Sequence, residues 1–204
     1  MLTIYLVRHG QTEWNLEGRL QGWGNGELTK EGINDALALG RRLINVPIDL
    51  IYSSSSKRAY QTAELITGSR DIPIIQDDSL REMGFGDWEG RIRTEIEKEY
   101  EQEYKAFWET PHLYNRNSGE LFSHVIDRVV SAFNEIVEKH PSGTVMVVSH
   151  SITLRVLNAY IKKLPLDKLF TQKPSLGNTS LTKIVVKDGH PEIIFEGDMS
   201  HKVL

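Results

Sequence analysis

The sequence of 204 residues contains no cysteine, which excludes disulfide bonds, thiolate nucleophiles and cysteine-ligated metal sites together. Its first residues include no basic leader, and the apolar run at 2–7 ends too early for a secretion signal. No stretch approaches the ~18 consecutive apolar residues that would span a bilayer. These absences predict a soluble, cytoplasmic protein that does not bind membranes.

A strong excess of charge of either sign is also missing. The formal net charge is −4, with 25% charged and 39% apolar residues. Such a balance gives no general attraction to nucleic acid, so an anionic ligand would have to be gathered by local positive charge. The length and composition are those of a single globular domain over residues 1–204. We expect a monomer or homodimer without a nucleic-acid partner.

Short apolar runs alternate with segments of helical periodicity along the chain. The pattern predicts strands at 2–7, 49–53, 72–75, 144–149, 180–186 and 192–195, and helices at 33–44, 57–67, 122–137 and 152–161. Thr29 is the expected N-cap of the first helix, and Gly68 the expected end of the second. This alternation predicts a three-layer α/β fold with a mostly parallel, mixed central sheet flanked by helices. The segment around 91–117, which mixes charged and aromatic residues, is expected to be irregular and to form a cap-like insertion.

Residues suited to phosphate chemistry follow the predicted strands. Arg8, His9 and Gly10 come after the first strand, His150 follows the strand at 144–149, and Arg58 begins a helix after the second strand. In open α/β sheets, ligands bind beyond the carboxyl ends of the strands. Arginine forks match phosphate oxygens, and neighbouring positive charge favours a neutral, nucleophilic imidazole. A glycine lets the backbone approach an anion closely. These residues predict a phosphoryl-transfer site.

Several longer blocks occur in a fixed order over most of the chain. They are Leu6-Val-Arg-His-Gly-Gln-Thr-Glu-Trp-Asn15, Gly22-Trp23, Leu28-Thr-Lys-Glu-Gly32, Arg58-Ala-Tyr-Gln-Thr-Ala63, Leu80-Arg-Glu-Met-Gly-Phe-Gly-Asp-Trp-Glu-Gly90 and Val147-Val-Ser-His150. In these blocks the chain resembles the histidine phosphatase superfamily, which includes the cofactor-dependent phosphoglycerate mutases. A lone Arg-His-Gly would be weak evidence for the family, whereas several blocks in the same order are specific to it. The resemblance implies a phosphoglycerate mutase-like fold.

The same resemblance implies roles for individual residues. His9 becomes the nucleophile that is phosphorylated, and Arg8, Arg58 and His150 form the phosphate pocket. Glu82 becomes the proton donor to the leaving alcohol and then the base that activates water. No metal and no cofactor is required, because arginines, imidazole and amide donors carry the developing charge.

Three further residues are expected to bind phosphate or substrate. Asn15 and Gln21 add neutral hydrogen-bond donors, although amides of this kind also cap turns. The family usually has glycine directly after the second histidine, whereas Ser151 stands here. We interpret this serine as a variant suited to a helix N-terminus, with a hydroxyl that can donate to phosphate.

The segment after Gly90 decides between branches of the family. Mutases carry a longer insertion there, with paired arginines for a substrate carboxylate; here Arg91 and Arg93 are followed by acidic and aromatic residues. The aromatics either pack within the cap or contact substrate. This pattern favours the phosphatase branch, resembling broad-specificity bacterial phosphatases, with a small-molecule phosphate monoester as substrate. The alternatives are a cofactor-dependent phosphoglycerate mutase and a non-catalytic phosphate-binding regulatory module.

Overall fold

The apolar runs of the sequence form one six-stranded sheet in the computed structural model, which describes residues 1–202. The strands are β1 (Leu2–Arg8), β2 (Leu50–Ser54), β3 (Ile74–Asp77), β4 (Gly143–Ser149), β5 (Leu181–Lys187) and β6 (His190–Asp198). Their order is β3-β2-β4-β1-β5-β6. The first four run parallel, β5 pairs antiparallel with β1, and β6 pairs antiparallel with β5. The predicted mixed, mostly parallel sheet is confirmed.

Seven α-helices accompany the sheet in the described part of the chain. They are α1 (Glu13–Leu16), α2 (Lys30–Arg42), α3 (Lys57–Thr67), α4 (Arg93–Glu99), α5 (Glu101–Glu109), α6 (Phe122–Lys139) and α7 (Ser151–Ile161). As predicted, the Thr29 hydroxyl caps α2 by accepting from the Gly32 amide at 2.9 Å, and α3 ends at Gly68 in a left-handed conformation. No helix between residues 1 and 202 is both long and apolar enough to cross a membrane.

Alternating residues of the strands divide the core into two layers. Leu2, Ile4 and Leu6 of β1 pack with α6, α7 and the aromatic residues after β3. Tyr5 and Val7 point to the opposite face, where they pack with α2 and α3. Because side chains of a strand alternate between its faces, each central strand is covered by helices on both sides. The result is the predicted three-layer arrangement.

Two segments differ from the sequence-based expectation. The third strand was expected at 72–75, but β3 begins at Ile74, since Pro73 has no amide hydrogen to donate to a ladder. The segment at 91–117 contains the helices α4 and α5 rather than irregular structure. Its aromatic residues surround the fully buried Trp88 and share one hydrophobic cluster with β1 and α6.

The register of β1 against β4 creates the site. Arg8 pairs with Ser149, so that the residues following each strand, His9 and His150, emerge side by side. The His9 amide continues the ladder by donating to the Ser149 carbonyl at 2.9 Å. The two imidazole rings lie with their centroids 5.1 Å apart. The sheet therefore places both histidines at its carboxyl edge.

Candidate active site

A cavity of about 510 Å³ opens at the carboxyl ends of β1 and β4. Seven of the eight site residues predicted from the sequence line it: Arg8, His9, Asn15, Gln21, Arg58, Glu82 and Ser151. The eighth, His150, is fully buried behind this wall, with its ring against that of His9. Strand ends, a helix start and loops distant in sequence thus converge on one space.

The His9 ring is held in a single tautomer. Its Nδ1 lies 2.7 Å from the Gly10 carbonyl oxygen, and because a carbonyl can only accept, Nδ1 carries the hydrogen. The lone pair of the neutral ring is therefore on Nε2. Burial lowers the pKa of His9 well below its ordinary value of 6.5, and the charges of Arg58 and Arg8 lower it further. The ring is therefore neutral at physiological pH, a state in which Nε2 can act as a nucleophile.

The hydrogen bonds of His150 also determine its tautomer, which is the opposite of that of His9. Nη2 of Arg58 lies 3.1 Å from Nδ1 of His150, and since a guanidinium only donates, Nδ1 accepts. Nε2 then carries the hydrogen and donates to the Ser54 hydroxyl at 2.7 Å. Burial, followed by the charge of Arg58, lowers the pKa of His150 well below 6.5. Both ring nitrogens make hydrogen bonds within the protein. His150 can therefore hydrogen-bond directly to a phosphate only if one of these two bonds is replaced.

The two predicted phosphate-binding arginines are anchored through backbone carbonyls. Arg58 donates to the carbonyls of Gly22 and Gly24 at 2.8 and 2.6 Å, and Arg8 donates to that of Leu176 at 2.7 Å. Burial lowers the pKa of each guanidinium to about 10, which leaves both charged at neutral pH. Within residues 1–202, the buried Nε of each arginine has no hydrogen-bond partner. Buried charged donors need acceptors, which an anionic ligand would supply.

Glu82 is held at the N-terminus of α7. Its carboxylate oxygens accept from the backbone amides of Met83, Ile152 and Thr153 at 3.0, 3.2 and 3.3 Å. The side chain is 8% exposed and lines the cavity together with His9. A carboxyl group held in this way has a fixed position on the wall of the cavity that His9 also lines.

Asn15 has a defined amide orientation, because its Oδ1 accepts from the Thr12 amide at 3.1 Å and from Nδ2 of Asn178 at 3.2 Å. Within the described residues 1–202, the Nδ2 of Asn15 is thereby left as a free donor on the cavity wall. Gln21 is buried on that wall, and Ser151 is the first residue of α7. Their predicted contacts with phosphate stay predictions.

Sequence reasoning missed several cavity residues. Asn178 precedes β5 and also donates to the His9 carbonyl at 3.1 Å. Phe170 and Arg155 line the outer part of the cavity. They lie there with Arg93 and Trp108, two residues of the 91–117 segment for which the sequence left substrate contact open. The spacing of Arg155 four residues after Ser151, on one helix face, is a signal that could have found it. Arg91, the other arginine considered from the sequence, instead pairs with Glu99.

Between residues 1 and 202 there is no group of three or more His, Asp or Glu side chains that could hold a metal ion. Positive charge in the cavity comes from guanidinium groups, and the His9 imidazole lies on the same wall. An α/β sheet with paired histidines and arginines at its carboxyl edge defines a phosphoryl-transfer enzyme.

Comparison with known proteins gives the family. The model of the histidine phosphatase superfamily (branch 1) matches residues 4–198, so the chain belongs to this superfamily. A solved structure of YhfR from Bacillus stearothermophilus is 44% identical, with a TM-score of 0.96, and the match covers 98% of this chain and 99% of that one. The family and fold implied by the sequence blocks are confirmed.

Curated relatives include both phosphatases and mutases. Phosphoserine phosphatase 1 from Hydrogenobacter thermophilus is 32% identical over 171 residues, which cover 84% of this chain and 81% of that protein. The 2,3-bisphosphoglycerate-dependent phosphoglycerate mutase of Bartonella tribocorum is 29% identical over 182 residues, covering 86% of this chain and 88% of that protein. The similarity supports a metal-independent histidine phosphatase, and the mutase alternative is not better supported.

Proposed function

We propose that this chain hydrolyses small phosphate monoesters in two phosphoryl transfers, first to Nε2 of His9 and then to water. The observation that carries the proposal is the state of the His9 ring. Its Nδ1–H is fixed on the Gly10 carbonyl, and its neutral Nε2 belongs to a cavity that it shares with Arg8 and Arg58. A neutral imidazole between two fixed guanidinium groups is suited to attack phosphorus.

In the first transfer, the Nε2 lone pair of His9 forms the P–N bond while the ester P–O bond breaks. The electron pair of that bond stays with the leaving oxygen, which takes a proton from the Glu82 carboxyl group. Arg8 and Arg58 offer donors to the phosphoryl oxygens, including their Nε–H groups, which have no hydrogen-bond partner within residues 1–202. Their two charges match those of a phosphate dianion.

In the second transfer, water attacks phosphorus and the P–N bond breaks. The water proton passes to the Glu82 carboxylate, which restores the acid for the next cycle, and inorganic phosphate leaves. The bonds from three backbone amides hold this carboxylate in place through both transfers. A positioned acid–base group of this kind contributes typically about 10²–10⁴-fold to a rate.

The remaining site residues support these transfers. His150 fixes Arg58 through its Nδ1, and it can reach a phosphate oxygen if that bond is exchanged. Asn15, Gln21 and Ser151 add neutral donors around the phosphoryl group. The segment at 91–117 serves as a cap on the single domain, since Arg93 and Trp108 line the outer cavity.

Two other functions use a phosphate-binding site of this kind, phosphoglycerate isomerisation and regulatory phosphate binding without catalysis. Phosphoglycerate isomerisation is the second candidate, because a phosphoglycerate mutase is 29% identical to this chain. In that reaction the phosphohistidine would return its phosphoryl group to a sugar acid instead of to water. A regulatory module that only binds phosphate has no use for Glu82 beside the nucleophile. The acidic, aromatic segment after Gly90 favours the hydrolase.

The experiment is a panel of phosphate monoesters assayed for phosphate release, with a mutase assay alongside. Hydrolysis predicts release of inorganic phosphate without a primer. Isomerisation predicts interconversion of phosphoglycerates that depends on bisphosphoglycerate and gives no net phosphate. Absence of both activities, with phosphate binding retained, would support the regulatory module instead.

A further inference from the structure

The backbone that carries Glu82 belongs to neither a strand nor an α-helix. Glu82 lies in irregular chain between two short 3₁₀ turns, Asp78–Leu80 and Gly86–Trp88. Backbone groups outside a ladder or a helix must find their hydrogen-bond partners elsewhere. The position of Glu82 therefore depends on side chains from other parts of the chain. We call residues 79–84 the Glu82 segment.

Arg128, in the first half of α6, supplies three hydrogen bonds to this segment. Its Nη1 donates to the carbonyls of Ser79 and Arg81 at 2.8 and 2.7 Å, and its Nη2 donates to that of Glu82 at 3.0 Å. A rigid, planar guanidinium fork can hold several acceptors in one fixed geometry, which the point charge of a lysine cannot do. These bonds attach the Glu82 segment to helix α6.

Glu120 completes the attachment. Its carboxylate accepts from Nε and Nη2 of Arg128 at 2.8 and 2.9 Å, and its Oε2 also accepts from the Gly84 amide at 2.7 Å. The two side chains are only 19% and 16% exposed, so the ion pair that orients the guanidinium is largely shielded from water. Neither side chain lines the cavity. The pair therefore holds the Glu82 segment without being placed to contact a bound ester.

One peptide group connects this pair to the Glu82 carboxylate. The Glu82 carbonyl accepts from Arg128 and also from Nε1 of Trp23 at 3.0 Å, which uses both of its lone pairs. The amide of the same peptide group belongs to Met83 and donates to Oε1 of Glu82 at 3.0 Å. Because a peptide group is planar, fixing its carbonyl also fixes the direction of its N–H. The hydrogen bond from Arg128 thereby helps to orient the carboxylate that lines the cavity.

We infer that Arg128 and Glu120 are a positioning pair for Glu82, which sets where the carboxyl group meets the leaving oxygen. This inference rests on the proposed function, in which Glu82 gives and takes the proton, and extends it to residues outside the cavity. Loosening the pair should impair proton transfer and leave the attack of His9 on phosphorus largely unaffected. Misplacing a reacting group by about 1 Å can cost on the order of 10²-fold in rate.

The test compares two esters under single-turnover conditions, with the protein in excess, so that ester cleavage reports the first transfer. The leaving oxygen of n-propyl phosphate needs a proton, whereas that of p-nitrophenyl phosphate does not. In Arg128→Lys, which keeps the charge without the fork, propyl cleavage should slow by about 10-fold or more and nitrophenyl cleavage by less than about 2-fold. Glu120→Gln keeps the shape but removes the ion pair, so it should lower the ratio of propyl to nitrophenyl cleavage by a smaller factor.

Arg70→Lys is the matched control. Arg70 is also a half-buried arginine that donates to three backbone carbonyls, those of Leu43, Ile66 and Thr67 at 2.9, 2.8 and 3.3 Å. It holds the end of α3 and does not line the cavity. The same substitution there removes a similar set of bonds, so the ratio of propyl to nitrophenyl cleavage should equal that of the parent.

A double variant tests whether Arg128 acts through Glu82. Because Glu82→Gln has no proton to position, adding Arg128→Lys to it should not lower the ratio further. A further fall would overturn the inference, as would the parent ratio in Arg128→Lys or an equal fall in Arg70→Lys. If Arg128→Lys did not fold, Glu120→Gln would decide, and the parent ratio in that variant would overturn the inference. Absence of ester cleavage by the parent would instead contradict the phosphatase proposal itself.

Discussion

Nδ2 of Asn178 donates to Oδ1 of Asn15 at 3.2 Å and to the His9 carbonyl at 3.1 Å. Asn178 comes from the loop before β5, and the two residues it contacts come from the loop after β1. Together with the bond from the Thr12 amide, the bond from Asn178 determines which end of the Asn15 amide faces the cavity. A residue that sequence patterns did not single out thereby orients a predicted phosphate donor.

Asn178→Asp should weaken phosphate binding. Its carboxylate would face Oδ1 of Asn15, and repulsion between the two acceptors would rotate that amide and turn an oxygen toward the phosphate. We expect the competitive inhibition constant of inorganic phosphate to rise roughly 10-fold or more, the equivalent of one lost buried hydrogen bond. Asn45→Asp, which adds the same charge at an exposed position, is the control. Equal inhibition constants in both variants would show that Asn178 does not orient Asn15.

The buried histidines should make stability depend on pH. The pKa values of His9 and His150 are lowered in the folded state. Below about pH 6.5, these two histidines are therefore protonated in the unfolded chain but stay neutral in the folded chain. The free energy of unfolding should therefore fall as the pH drops from about 7.5 to 5.5, by up to about 1.4 kcal/mol per pH unit for each group. His201, whose pKa is also lowered, adds in the same direction.

Urea unfolding of the parent and of His9→Asn across that pH range measures this effect. The variant lacks one of the groups, so its unfolding free energy should depend less steeply on pH, while His150 and His201 contribute to both curves. Parallel curves for the two proteins would mean that His9 is protonated alike in the folded and unfolded states. That result would remove the neutral nucleophile from the account.

Chelation should leave the activity unchanged. The positive charge of the cavity comes from the five arginines that line it, Arg8, Arg19, Arg58, Arg93 and Arg155, and no cluster of metal-ligating side chains occurs within residues 1–202. Phosphate release after dialysis against EDTA should equal that of the untreated protein, with a metal-dependent phosphatase inactivated in parallel as the control. Loss of turnover that zinc or magnesium restores would contradict the mechanism.

Much of the fold followed from pattern, because apolar runs of period two and 3.6 leave few alternatives. Lys57–Thr67 is helical over the predicted residues, and the register of β1 against β4 realises the expected meeting of His9 and His150. Strand β3 begins at Ile74 rather than at residue 72. The apolar pattern that predicted the earlier start does not reflect that Pro73 lacks an amide hydrogen.

The site residues that lie in loops were harder to predict from the sequence than those at strand ends. Asn178 reaches Asn15 only because β5 runs antiparallel to β1, which brings the loop before β5 close to the loop after β1. The sequence around an isolated loop asparagine does not indicate such a contact. The tautomers of His9 and His150 depend on a single carbonyl and a single guanidinium, which residue spacing cannot specify.

Glu82→Gln should separate the two proton transfers. Glutamine keeps the shape and hydrogen-bonding capacity of the carboxyl group but has no proton to give. The burst-phase rate with alkyl phosphates should fall by about 10²-fold or more, because an alkoxide leaving group needs that proton. With p-nitrophenyl phosphate, whose phenolate leaves unaided, the burst rate should fall much less. Equal burst-rate losses for both esters would make Glu82 a positioning residue instead of the acid.

The most direct test of the central claim is to trap the phosphoenzyme on His9. Rapid quenching in alkali during turnover of a ³²P-labelled monoester should give an acid-labile phosphohistidine on the parent protein. The exposed His190→Ala variant should give the same yield. His9→Ala, with its fold intact by circular dichroism, should give no trapped phosphate and almost no turnover. Phosphate release by His9→Ala at a tenth of the parent rate or more, without added imidazole, would contradict the account.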